Sequence, residues 1–370
     1  MKVVKYIGLG SLPFAYSDLF EQASHESIFL SFPWFKNFEE TIVGPNERVM
    51  IYGVEECGGS GRPVAALILR QEHSHPFLGL FKIAKIESLS NYYTSYFGLV
   101  ISNSLIDEEE IIDAITQALF EDRYKWDILN LKPLDPLSPF FVALVKSFKR
   151  VGLVVQTYFC FGNWYLDVAG RNYSEYFEGL PSYIRKKIPY KKRKLEKNFS
   201  VSIKIIMESD AVDRAMYDYA EVYRASWKKP EPFPDFIRGF AKEASKQGWL
   251  RLGLLYLGEK PVAAQLWVVH NNVASIYKLA YAEQFSHLSV GIILSAYLME
   301  YVINVDKVRQ VDYLTGDDDY KKDWMSARRE RWGILVFNPQ SSKGLMQAIR
   351  HIAGREVKRA ATKILSLIKT

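Results

Sequence analysis

Between Tyr277 and Trp332 the chain reads YKLAYAEQFSHLSVGIILSAYLMEYVI and, after a link, VDYLTGDDDYKKDWMSARRERW. Three sets of residues here have types and spacing suited to chemistry. Ser289, Val290, Gly291, Ile292 and Ile293 form a small-residue turn that opens an apolar helix running to Tyr301. Such a turn presents free backbone N–H groups to a phosphate, with Ser289 as cap and Gly291 letting the phosphate close without a Cβ in the way. Lys278, Tyr281 and Glu283 end the strand before it. Asp312, Tyr313, Gly316, Asp317, Asp318, Tyr320 and Lys321 follow a second short strand at residues 311–314. The reaction that fits is transfer of an acyl group from a phosphate-bearing carrier. Transfer to an amine needs a neutral amine, a route for its proton and donors for the developing oxyanion.

Each set also has a plainer use. Glu283 serves as the base, directly or through water, or it is half of a solvated Lys/Glu pair with Lys278. Alternation places Lys278, Ala280 and Ala282 on one face, with Tyr277, Leu279, Tyr281 and Glu283 on the other. Lys321 binds a phosphate or carboxylate, or is solvated. Asp318 and Asp319 read as a solvated turn, because adjacent carboxylates do not converge on one ion without the wider spacing of a calcium loop. His270, between a strand and Asn271–Asn272, reads as a turn or wall residue. No metal is expected.

The elements that must position these groups follow from pattern. In the first half, helices are expected over 17–23, 34–41, 107–120 (with Asp107 as cap) and 137–149. Strands are expected over 48–55, 63–70, 126–131 and 153–161, the first two as a hairpin across CGGSGR. In the second half a basic helix over 184–197 comes first, kinked or restarted at Pro189. A strand over 201–207, helices over 211–227 and 235–247, a hairpin of 250–257 with 262–270, and a strand over 274–282 follow. This is an α/β pattern with antiparallel hairpins, so a mixed sheet is expected. The repeated element order predicts a tandem duplication with a boundary near Gly170.

Size and composition agree. At 370 residues, 48% hydrophobic, the chain can bury two cores. Its two cysteines, Cys57 and Cys160, make no disulfide framework or zinc site and suit a reducing compartment. No signal peptide or spanning stretch is read, so a cytoplasmic protein is expected, or one peripheral at the inner face of a membrane. The net charge of +6 is uneven. Residues 181–198 hold eight Lys/Arg against one Glu, and 341–370 hold seven against one. The first run has few aromatics, so base stacking is not suggested. It holds a phosphate or a carrier nucleic acid, or is a solvated face. The second is amphipathic, packing on its own domain or lying on an anionic membrane surface.

Four segments carry a family resemblance: LPSYIRKKIPYKKRKLEKN, YRASWKKPEPFPDF, LRLGLLYLGEKPVAAQLWVVHNNVASIYKLAYAEQFSHLSVGIIL and VDYLTGDDDYKKDW. In this order they resemble the GNAT acyl-CoA N-acyltransferases. The nearer likeness is to the two-domain bacterial branch associated with cellulose and exopolysaccharide biosynthesis and related to Fem-type aminoacyl transferases. The turn His287-Leu-Ser-Val-Gly291-Ile keeps one of the glycines common in that family's carrier-binding turn. The resemblance implies tandem GNAT-like domains with mixed, mostly antiparallel sheets: a degenerate first domain over 1–168, a catalytic one over 173–338, and a basic helix over 341–370. It implies acetyl-CoA or another acyl-CoA bound by residues 289–293, with Tyr320 protonating the leaving thiolate. Glu283, Lys321 and Asp312 complete the catalytic set, and Trp227, Lys278, Tyr281 and Asp317 contact substrate. The acceptor is an amine or hydroxyl of a small molecule or sugar intermediate. Aminoacyl transfer from a charged tRNA, or a scaffold in a membrane-associated synthase complex, are the competing functions.

Overall fold

The computed structural model describes residues 1–57, 61–72, 83–102 and 107–354. The first half runs β1 (Lys2–Ile7), α1 (Ser17–Ser24), α2 (Phe32–Thr41), β2 (Glu47–Glu55), β3 (Pro63–Glu72), β4 (Lys85–Ser88), β5 (Val100–Ile101), α3 (Glu108–Glu121), β6 (Ile128–Leu134), α4 (Pro139–Arg150) and β7 (Val154–Asp167). The second runs α5 (Tyr173–Glu178), α6 (Ser182–Asn198), β8 (Val201–Ile206), α7 (Val212–Arg224), α8 (Pro234–Lys246), β9 (Leu250–Leu257), β10 (Lys260–His270), β11 (Val273–Tyr281), α9 (Val290–Asn304), β12 (Gln310–Asp312) and β13 (Ala327–Phe337).

The element order repeats. A strand, two helices, three strands, a helix and a parallel strand occur as β1-α1-α2-β2-β3-β4-α3-β6 and again as β8-α7-α8-β9-β10-β11-α9-β12. The parallel pairs are β4 with β6 and β11 with β12, one in each repeat, and the other named pairs are antiparallel. Two separate sheets were the expectation, and here the structure corrects it. The strands form one sheet in the order β1-β2-β3-β4-β6-β13-β7-β12-β11-β10-β9-β8. The reason is an exchange of final strands. β7, which ends the first half, pairs with β12, and β13, which ends the second, pairs with β6. The two exchanged strands also pair with each other along their length.

Local chemistry fixes the elements. Asp107 caps α3 by accepting from Glu109 N, and Glu108, Glu109 and Glu110 occupy its positive first turn. Asn172 and Glu175 close a capping box on α5. Pro189 lies inside a single α6, so of the expected kink or restart the helix shows no restart. Ile184, Ile188 and Leu195 bury one face of α6 beside α9, and that packing holds the helix through the proline. α9 is the helix hidden most completely, with nine buried residues, which is why its sequence is apolar on nearly every side.

A shared core joins the repeats. Trp34 of α2 packs edge-to-face on Phe236 and Phe240 of α8, at 5.2 and 5.0 Å. Asn37 Nδ2 donates to Phe236 O at 3.0 Å. A Cβ on Gly239 would lie 2.1 Å from Asn37 Oδ1, so glycine is what allows α2 to approach α8 this closely. Residues 342–354 are helical, with Ala348 buried against Ile128 and Phe337, while 355–370 of the expected basic helix lie outside the described residues. Among the described residues no helix is long and apolar enough to cross a membrane.

Candidate functional site

The sheet splits between β11 and β12. Their parallel pairing covers Val273↔Gln310, Ala274↔Val311 and Ser275↔Asp312. β11 then continues on β10 as far as Tyr281, while the segment after β12 follows β7 instead, Tyr313 N donating to Trp164 O at 2.9 Å. A bulge adds to the opening. Leu266 faces Lys278 and Trp267 faces Ile276, so Tyr277 is the extra residue. The bulge corrects the simple alternation. Tyr277 joins the core on the α8 side, 4.9 Å from Phe240, whereas Leu279 and Tyr281 pack on the opposite, α9 side. A cavity of about 90 Å³ sits in the split, lined by Tyr277, Lys278, Tyr313 and Thr315 and, from the first half, Tyr92 and Tyr93.

Charged groups converge here from three places. Lys278 Nζ lies 3.0 Å from Glu231 Oε2, and both side chains are largely buried, at 17% and 11% exposure. The Tyr93 hydroxyl donates to the other oxygen of Glu231, and the Lys278 ammonium stands 4.5 Å from the Tyr93 ring centre. Lys228 Nζ donates to Leu279 O at 2.5 Å, satisfying a carbonyl on the open edge of β11. Burial, then the charge of Lys278, pushes the Lys228 ammonium down to about 8. Lys278 is lowered by burial and partly restored by Glu231. Burial first, then Glu231, pushes Tyr93 far up, so it stays a hydrogen-bond donor. Trp227 and Tyr281 stack beside this group with ring centres 4.4 Å apart.

A Lys228→Met variant isolates one electrostatic cost. Lys228 is lowered on folding, so between about pH 8 and 10.5 the unfolded chain holds a proton that the folded one has released. Stability from this group therefore rises with pH through that window. Melting temperatures compared from pH 7 to 10 are expected to shift in favour of the wild type relative to Lys228→Met, and a pH-independent difference contradicts the assignment.

The turn after β12 is a tied structure. Lys321 is 4% exposed. Its ammonium donates to Thr315 O at 2.6 Å and Gly316 O at 3.1 Å and pairs with Asp318 at 3.4 Å. Those contacts use its three protons, which corrects the expectation that Lys321 holds a substrate anion. Asp317 is likewise committed, to Arg328 through two nitrogens and to Trp164 Nε1 at 2.8 Å, so it is not a free substrate contact. Asp312 accepts from Asn163 Nδ2 at 2.6 Å and Leu314 N at 2.7 Å and pairs with Arg329. It lines a different cavity, of about 180 Å³ between the halves, where it fixes the left-handed Leu314. Tyr320 remains available. It is half-exposed, packs edge-on against Tyr313 at 5.9 Å, and burial with Asp318 pushes its hydroxyl up to about 12. Lys321→Ala would leave two carbonyls of the turn without their donor, at a cost of about 1–3 kcal/mol. A lowered melting temperature is the expected result, and an unchanged one would show the tie to be dispensable.

The N-terminus of α9 differs in detail from the expectation. Ser289 sits there in the left-handed region at φ 61°, and its side chain makes no cap bond. The first helical bond is Ile293 N to Ser289 O at 3.1 Å, leaving the N–H groups of Val290, Gly291 and Ile292 ahead of the ladder. A Cβ on Gly291 would meet Tyr281 Cδ1 at 2.8 Å, so this glycine serves packing against the Tyr281 ring. The basic helix adjoins the same place, Lys191 Nζ donating to His287 O at 2.9 Å. Glu283 is exposed beyond the end of β11, its N–H bonded to Ala225 O at 2.9 Å. His270 is a wall residue, its Nε2 3.0 Å from Ser24 O.

A strand–helix–strand unit with a split parallel pair and a free helix N-terminus is the feature that separates this arrangement from an ordinary α/β sheet. Residues 182–322 match the family model for an acetyltransferase (GNAT) domain. The chain as a whole has the tandem GNAT fold. It is similar to the crystal structure of FemX, with a TM-score of 0.62 and 11% identity over 91% of this chain and 98% of that one. A tandem GNAT protein from the clavulanic acid biosynthesis pathway matches with a TM-score of 0.50 and 13% identity over 91% and 99%. The C-terminal domain of a putative lysylphosphatidylglycerol synthetase from Agrobacterium fabrum matches with 0.51 and 10% over 90% and 95%. A comparison with curated protein sequences gave no match.

Of the residues singled out from the sequence, Lys278 lines the split, Trp227 and Tyr281 stack beside it, and Tyr320 adjoins it through Tyr313. Asp312, Asp317 and Lys321 are left as supports and Glu283 at the surface. Sequence reasoning passed over Lys228, Glu231, Tyr92 and Tyr93. A signal existed for two of them: WKKPEPFP places two lysines and one glutamate among three prolines. Tyr93 lies in YYTSYFG, a weak likeness to the family that pointed to no role, because the meeting of the two halves is not written in local pattern.

Proposed function

We propose that the protein transfers an acyl group, acetyl first among candidates, from acyl-CoA to an amine or hydroxyl of a small molecule or sugar intermediate. The observation that carries this reading is the split of β11 from β12 beside the N-terminus of α9. An opening of this kind suits a thioester entering edge-on, and the N–H groups of residues 290–292 at a helix N-terminus suit a pyrophosphate. The exposed lysines of α6, adjoining through Lys191, suit the remaining phosphate of coenzyme A. Residues 173–338 carry the reaction, and the first half contributes Tyr93 to it.

In this reading the acceptor's lone pair attacks the thioester carbonyl carbon. Its proton passes to Glu231, which Tyr93 and Lys278 hold in place, and Tyr320 protonates the departing thiolate. Glu231 takes the role first read for Glu283 because it is largely buried at the split. Exopolysaccharide-linked acceptors and peripheral attachment through the C-terminal segment belong to the same proposal. The exposed basic face of α6 makes charged tRNA the competing donor. Incubation with acetyl-CoA and a mixed panel of amines and sugars, reading free thiol, tests the reading. Acceptor-dependent thiol release is expected. Binding of tRNA with no thiol release from any acyl-CoA would replace this donor with the other.

A further inference from the structure

A third cavity, of about 600 Å³, opens between α7 and α8 on the face of the sheet opposite α9. Met216, Tyr219, Tyr223 and Ile237 line it with Pro230 and Pro234, and Lys228 and Glu231 close its inner end. The Glu231 carboxylate, bonded to Tyr93 and Lys278, is thus the partition between this cavity and the split. We propose that this cavity is the acceptor site and that it takes a small primary amine carried on an apolar, ring-sized body. The inference rests on the acyltransferase reading and narrows its acceptor.

The volume is that of a small-molecule site. The walls are aromatic and aliphatic, and the Tyr219 hydroxyl is buried with no hydrogen-bond partner. One donor suits a ligand with one polar handle in its body. A sugar there would leave unpaired the hydroxyls that meet the apolar wall, at about 1–3 kcal/mol for each one buried. Two carboxylates stand at the rim: Asp213 is committed, pairing with Arg238 at 2.8 Å and Lys242 at 2.9 Å, and Asp235 is exposed at the mouth. The inner end is built around nitrogen bases. Lys278 lies on the Tyr93 ring, and Lys228 lies 5.8 Å from Tyr223 and 5.7 Å from Trp227. An amine placed beside Lys228 meets the same burial and the same neighbouring cations that lower Lys228, so a larger share of it is neutral and nucleophilic than in water. The N–C bond then forms, the C–S bond breaks, the amine proton goes to Glu231 and the thiolate takes one from Tyr320.

The test uses the full chain, acetyl-CoA and three acceptors: 2-phenylethylamine, glucosamine and glycerol. Thiol release is expected with a kcat/KM at least tenfold higher for 2-phenylethylamine than for glucosamine, and none with glycerol. Ala220→Trp, which fills the cavity from α7, is expected to raise the KM for 2-phenylethylamine at least tenfold with the acetyl-CoA dissociation constant unchanged. If that variant does not fold, Tyr217→Ala, an exposed wall residue, is expected to change the same KM several-fold. A preference for glucosamine or glycerol overturns the proposal. So does a folded Ala220→Trp with an unchanged KM, or a chain that binds acetyl-CoA and uses none of the three. A wild-type chain that does not bind acetyl-CoA removes the transferase reading itself, and the acceptor assignment with it.

Discussion

Glu231→Gln is expected to lower turnover by about 10²–10⁴-fold, the range for loss of a general base, while leaving acyl-CoA binding intact. The change keeps the shape of the side chain and its bond from Tyr93. It removes the negative charge that receives the proton and that pairs with Lys278. Glu283→Gln is the matched control, since Glu283 is exposed beyond the strand and ordered only through its backbone. Steady-state rates for the two variants decide between the carboxylates. A normal rate for Glu231→Gln with a crippled Glu283→Gln returns the role to the strand end.

Tyr320→Phe is expected to cost a similar factor, again about 10²–10⁴ in turnover. The ring still packs edge-on against Tyr313, so only the proton is lost. With its hydroxyl pushed up to about 12, Tyr320 is protonated throughout the neutral range and can act as the acid. The leaving group supplies a sharp control. A thioester whose thiol is a much stronger acid than coenzyme A needs little protonation, and with it the variant should recover most of its rate. A uniform loss with both donors would mean that Tyr320 supports the turn rather than the thiolate.

Much of the fold was legible because the repeat is written in local pattern. The hairpin of β9 and β10, the apolar α9 and the acidic first turn of α3 all follow from periodicity and capping. β13 was not legible. Its sequence, ARRERWGILVF, begins with charges that reach Asp312, Asp317 and Asp135, and nothing local says that it crosses to the other half. The strand exchange was hidden for the same reason, and with it Tyr93. The site was half legible. Lys278 lines the split, Trp227 and Tyr281 stack beside it and Tyr320 packs on Tyr313, because a strand end and a turn in sequence become its two lips. Asp317 and Lys321 have functional residue types, but the turn consumes their hydrogen bonds. Gly291 shows the limit of a motif: its missing Cβ makes room for the Tyr281 ring, a packing reason that the motif does not state.

The central claim is that an acyl-CoA binds with its phosphates at the start of α9. Gly291→Asp cannot test it, since any Cβ there meets Tyr281. Ser289→Asp can. Aspartate tolerates the left-handed backbone at Ser289, and its charge suits a helix N-terminus, so the fold should be kept. Its carboxylate would stand where the pyrophosphate belongs. Calorimetric titration of acetyl-CoA into the wild type and Ser289→Asp, at matched salt, is the measurement. The account predicts one site in the wild type and binding at least tenfold weaker in the variant, with equal melting temperatures. Equal affinity in both proteins, or no binding to the wild type, would contradict it.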